Sequence, residues 1–261
     1  MYFAFPSVIL AIFFATATEA RTLRVCADPN NLPFSNEQRE GFENKIAALI
    51  ATKLKANVEY FWRPQRRGFL RTTLKARSCD MVMGVPLGQP GLRTIPLYRS
   101  SYVFLMRPME HPITSLDDAR LRQLKVGVQL GGDDGAASPP ALALARRGIL
   151  AVGYTVVGDY RYPNPPARIV EAVRDGDIDV AVVWGPLAGF FARRSHTGLV
   201  LKPVGPEGSL PMSFNIGIGL RAEGEALARQ VETIVSDQRP AVEAILDSYA
   251  VPRVHGEKDG P

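Results

Sequence analysis

Cysteine and histidine are scarce in this chain of 261 residues, with two Cys and three His. His111, His196 and His255 stand far apart and form no metal-ligand spacing with Cys26 and Cys79. Residues 131–135 (GGDDG) are glycine-rich, but G-x-G-x-x-G and the P-loop lysine are both missing. Asp133 and Asp134 would also repel a phosphate, so a nucleotide site is not expected. No G-x-S-x-G elbow frames a serine nucleophile. The neighbouring carboxylates Asp117-Asp118 and Asp133-Asp134 show no division into acid and base. The chain is therefore read as a non-enzyme without a cofactor. Basic residues are spread out, with no basic run interleaved with aromatics, so no nucleic-acid partner is expected. The net charge of +5 suits an acidic protein partner or an anionic surface.

Long apolar runs are also missing, apart from one at the start. Residues 3–17 are nearly all apolar or small, and charge resumes at Glu19 and Arg21. A bilayer span needs about 20 apolar residues, so this run is short for one and fits the h-region of a secretory signal peptide. Ala15-Thr16-Ala17 offers an A-x-A cleavage site, and cleavage after Ala20 fits equally. Residues 1–20 are read as a leader, and the mature chain as soluble, exported and without a membrane span. In an exported protein Cys26 and Cys79 either form a disulfide or remain two buried thiols.

Strand and helix signals then alternate. Residues 23–27, 58–62 and 80–85 read as strands, with helices over 41–54 and 65–77 between them. After Pro108 the pattern repeats, with strands at 124–128, 153–157 and 178–183 and helices at 139–147 and 166–175. A further strand at 214–220 and helices at 223–236 and 239–249 complete the chain. The β-α-β-α-β order implies parallel sheets with helices on their faces. In such α/β sheets a ligand sits beyond the carboxyl ends of the strands. That rule selects loop residues as candidates: Asp28, Asn30, Asn31, Arg63, Gln65, Arg66, Arg67, Gly84, Pro86, Gln129, Gly132, Asp133, Asp134, Asp159, Tyr160, Trp184 and Pro186. The arginines offer bidentate grips for carboxylates or phosphates, or are plain solvated charge. Trp184 either stacks on a ligand in the cleft or belongs to the core.

Six stretches carry a family resemblance. LRVCADPNNLPF (23–34), GFENKIA (41–47), CDMVMG (79–84), SSYVF (100–104), KVGVQLG (125–131) and IDVAVVWGP (178–186) follow the order found in family 3 extracellular solute-binding proteins. The resemblance covers nearly the whole mature chain and implies a periplasmic location. It also implies the type 2 periplasmic-binding fold, with two doubly wound α/β lobes joined by two crossover strands. The crossings would fall near 102–107 and 203–213, giving lobe one as 21–105 plus 207–261 and lobe two as 106–206. PQRRGF (64–69), VGVQLGGDDGA (126–136), YPNPPARIVEAV (162–173) and VVWGPLAGFF (182–191) are similar to the quinoprotein-dehydrogenase-associated branch. That resemblance implies a periplasmic PQQ-dependent methanol (alcohol) dehydrogenase as partner. The broader family implies a small-molecule ligand delivered to an ABC permease.

Two departures matter. Amino-acid binders of the family hold the substrate carboxylate with an Arg at about the position of Gly91, and its amine with an Asp where Trp184 stands. Losing both groups removes the basis for amino-acid recognition.

Overall fold

The computed structural model describes residues 21–130, 136–155 and 160–254. The expected leader, with Gly132, Asp133, Asp134 and Asp159, lies outside the described residues. In chain order the elements are β1 (Arg21–Ala27), β2 (Asn30–Asn31), β3 (Ser35–Asn36), α1 (Phe42–Lys53), β4 (Ala56–Trp62), α2 (Phe69–Thr72), β5 (Met81–Pro86) and β6 (Leu92–Met106). They continue with β7 (Val126–Gln129), α3 (Pro139–Arg146), β8 (Ala151–Tyr154), α4 (Arg168–Asp175), β9 (Val180–Trp184), α5 (Gly185–Ser195) and β10 (Val200–Pro203). The last are β11 (Ser213–Arg221), α6 (Glu225–Asp237) and α7 (Arg239–Ser248).

The strands run in the order β4-β1-β5-β11-β6-β9-β7-β8. β1 pairs in parallel with β4 and β5, and β7 pairs in parallel with β8 and β9. The repeated β-α-β pattern thus yields two parallel units. Antiparallel β11 and β6 lie between them. Residues 92–101 of β6 pair with β11, and 102–106 pair with β9, with β10 on the other side of its last residues. β6 escapes period-based reading because its sequence LRTIPLYRSS mixes Arg93, Pro96 and Arg99 among the apolar residues. Pro96 has no N–H to give a ladder, and the β6–β11 register shifts at that point.

Two helices also differ from the sequence reading. The helix expected over 65–77 shrinks to the single turn α2. Gly68 precedes it at φ +84°, and the Thr73 hydroxyl bonds back to the Phe69 carbonyl at 2.6 Å, competing with helical continuation. Conversely, α5 grows out of the Gly185-Pro186 turn, because proline is tolerated in a first helical turn.

Both faces of the sheet are covered. Around β1, β5, β6 and β11 the core contains Phe42, Ile46, Ile50, Met81, Leu97 and Ile218, roofed by Val231, Val242 and Leu246 from α6 and α7. Beyond Ser101, alternation on β6 sends Phe104 and Met106 to one face with Val126 and Leu144, and Val103 and Leu105 to the other with Ile169 and Val173. Cys26 and Cys79 are joined in a disulfide with Cα atoms 5.6 Å apart, packed against Phe69, Leu74 and Val82. No described helix is long and apolar enough to cross a membrane.

Candidate functional site

Asp28 follows β1 directly and has no solvent exposure. Its Oδ1 accepts the Asn30 N–H at 2.8 Å and its Oδ2 accepts the Gln65 N–H at 2.7 Å. Burial pushes its carboxyl up, and these two backbone bonds oppose that rise. The carboxylate therefore ties the turn after β1 to the turn after β4. Within this pair of turns the Asn31 amide donates to Gln65 Oε1 at 2.8 Å.

Across the cavity, the Gln129 side chain closes the end of β7 onto the end of β9. Its Oε1 accepts the Trp184 N–H at 2.9 Å. The Trp184 ring meets Tyr102 and Phe214 edge-on, at centroid distances of 5.3 Å and 5.9 Å. Trp184 packs against the cores of both parallel units and stays half-buried.

Between these groups lies a cavity of about 180 Å³. Asn31, Phe34, Glu43, Gln65, Gly84 and Tyr98 line one side. Gln129, Trp184 and Leu187 line the other, and Ile216 completes the lining. The strand-end rule thus brings together Asn31, Gln65, Gly84, Gln129 and Trp184, with Asp28 outside the lining but bonded to the Gln65 backbone. Tyr160 reaches Asp28 Oδ1 with its hydroxyl at 3.4 Å, and the Asn30 amide donates to the Tyr162 carbonyl at 3.0 Å. Asn30 also lines a second, larger groove of about 450 Å³ with Asn164, Phe190 and Arg194.

Other sequence candidates fall elsewhere. Arg63, Arg66 and Arg67 are exposed and do not line the 180 Å³ cavity. Arg63 holds its guanidinium 5.9 Å from the Phe61 ring. The charge of Arg66 lowers the Asp28 carboxyl against burial. With α2 reduced to one turn, these arginines border a turn rather than a helix end. Pro86 is exposed at the end of β5, and Pro186 is buried within α5. Gly91 is exposed at φ +76° and outside the cavity lining.

The residue the sequence reading missed is Glu43. It is 4% exposed, yet its carboxyl has no hydrogen bond or ion pair among the described residues. Burial pushes that carboxyl up to about 8. Gly84 makes room for it. That residue sits at φ +73°, and a Cβ there would lie 2.3 Å from Glu43 Oε1. A helical signal was available: positions 43, 46, 47 and 50 share one face, and the other three are core residues. The pocket holds no nucleophile beside a base, and no described group of His, Cys, Asp or Glu is arranged to hold a metal ion. Aromatic faces, amides and one carboxyl make it a recognition surface.

No family model matches the chain. It is 31% identical over 253 residues to protein MoxJ of Methylorubrum extorquens, covering 91% of this chain and 83% of that protein. It is equally 31% identical to the crystal structure of periplasmic binding protein XoxJ from Methylobacterium extorquens AM1, with a TM-score of 0.73, covering 90% of this chain and all of that one. The crystal structure of MxaJ from Methlophaga aminisulfidivorans MPT superposes with a TM-score of 0.75 at 23% identity, covering 89% of this chain and 100% of that one, which speaks for the fold alone. With the two parallel units bridged by β6 and β11, these similarities place the chain in the MoxJ family of proteins with the type 2 periplasmic-binding fold.

Proposed function

We propose that this protein is a non-enzymatic periplasmic binding protein that serves a PQQ-dependent methanol (alcohol) dehydrogenase as an accessory or maturation partner in one-carbon metabolism. Membership in the MoxJ family supports the reading, together with the four dehydrogenase-associated motifs in the sequence. The observation that carries it is Trp184 in the wall of the cavity, where an amino-acid binder has its amine-holding Asp. By the family resemblance Gly91 stands at about the position of the carboxylate-holding Arg, and it lies outside the cavity lining. A half-buried tryptophan over an uncharged pocket suits an anchor side chain of a protein partner. The lobes proposed are 21–105 plus 207–261 and 106–206, with the leader 1–20 removed on export.

Immobilised protein is expected to capture purified methanol dehydrogenase. Trp184→Ala is expected to weaken that binding by about 1–3 kcal/mol, or roughly 5- to 150-fold in Kd. Binding indifferent to this substitution would contradict the assignment. The modest cavity, about 180 Å³, favours a second reading, a receptor handing a small non-amino-acid solute to an ABC permease. A saturable thermal shift with one small solute, and no capture of the dehydrogenase, would select it.

A further inference from the structure

Among the described residues that line the cavity there is no cation, and two side-chain amides offer hydrogen-bond donors. Gln129 Oε1 is occupied by the Trp184 N–H, a bond that also fixes which way the Gln129 amide faces. Gln65 Oε1 is occupied by the Asn31 amide. The two glutamines are thus left with their NH₂ groups to offer. Among the described residues no Lys or Arg lines the cavity, so none of them neutralises a bound carboxylate or phosphate. Glu43 completes the wall, more than nine-tenths buried and without a hydrogen-bonding partner among the described residues.

We propose that this cavity is a binding site for an uncharged carbonyl group, an amide above all, whose oxygen accepts hydrogen bonds from the Gln65 and Gln129 amides and from a protonated Glu43 carboxyl. The flat faces of Trp184 and Phe34 would cover the plane of that group. The proposal deepens the reading of the cleft given above and holds for either source of the amide, a partner's side chain or a free solute. Burial supports the protonated state by holding the Glu43 carboxyl at about 8. The titratable groups that face it are Tyr98 on β6 and Tyr60 on β4, both themselves raised by burial. Arg39 lies over the Tyr60 ring, 5.3 Å from its centroid. From β5, β7, β9 and α5 the cavity wall presents Gly84, Gln129, Trp184 and Leu187, none of which titrates.

Benzamide, benzoate and benzylammonium form a matched set of probes, read by Trp fluorescence and by chemical-shift titration of the full mature protein. Benzamide is expected to bind at least roughly tenfold more tightly than benzoate at pH 6.5, because the anion meets no countercharge. Its affinity is expected to fall about tenfold between pH 6.5 and pH 9 as Glu43 ionises, and to be flat with pH in Glu43→Gln. Benzylammonium is expected to bind more weakly than benzamide at pH 6.5. Tightest binding of benzylammonium, strengthening as pH rises, would overturn the proposal by making Glu43 a counter-ion. Failure of benzamide to bind would overturn it as well. Neither result touches the dehydrogenase reading, since no dehydrogenase is present. Competition between benzamide and the dehydrogenase would assign the amide to the partner, and simultaneous binding would assign it to a free solute, the site chemistry standing in both cases.

Discussion

Breaking the Cys26–Cys79 disulfide is expected to lower the folding free energy by about 4 kcal/mol, in the chain-entropy view of cross-links. The two cysteines are 53 residues apart in sequence, so the bond closes a long loop and removes much freedom from the unfolded chain. Its placement raises the consequence for the site. Cys26 is two residues before Asp28, and Cys79 leads into β5, which carries Gly84. Both sulfurs are buried against Phe69 and Leu74, so a serine pair would add unsatisfied hydroxyls; Cys26→Ala/Cys79→Ala is the cleaner variant. Urea unfolding of the oxidised protein, the reduced protein and the Ala pair gives the comparison. A loss under about 1 kcal/mol in both altered forms would show that the bond contributes little.

Glu43→Gln is expected to stabilise the protein, by about 3 kcal/mol at pH 7. In the unfolded chain this carboxyl ionises near its ordinary value of 4.5, and in the folded protein it holds its proton to about 8. Between those values folding must take up a proton, so stability falls by about 1.4 kcal/mol per pH unit as pH rises. This contribution is complete below pH 4.5 and lost as pH rises through 8. Glutamine keeps a similar shape and carries no such penalty, so the difference between the two proteins should widen from pH 5 to pH 8. Paired denaturation curves at several pH values measure it. A Gln variant that is less stable than the parent across the range would mean that the carboxylate is paired and ionised. A buried acid that weakens the fold at neutral pH is the kind of residue retained for function.

Much of the fold was legible because its parallel units are built from simple periods. Residues 23–27 and 178–183 are short apolar runs, and α4 places Ile169, Val170 and Val173 on one buried face. β6 was not legible from its periods: only the family resemblance placed a crossing near 102–107, and Arg93, Pro96 and Arg99 obscure the half that pairs with β11. α5 hid behind a Gly-Pro pair that punctuates most turns but opens a helix here. In the site, Asn31, Gln65, Gly84, Gln129 and Trp184 follow from the rule about strand ends, which depends only on topology. Glu43 does not follow from it, because it lies on the first turn of a helix, where an acid is ordinarily read as a partner of the helix dipole. The arginines of residues 63–67 stood out by charge, and charge favours the exposed side of a turn over the wall of a cavity.

The accessory role stands or falls on what the dehydrogenase does without this protein. The gene is deleted in a host that oxidises methanol with the quinoprotein enzyme, and activity is measured per mole of dehydrogenase polypeptide in periplasmic extract. Most of that activity is expected to disappear, to return with the wild-type gene and to return only weakly with Trp184→Ala. Activity per mole that is unchanged by the deletion would contradict the accessory role.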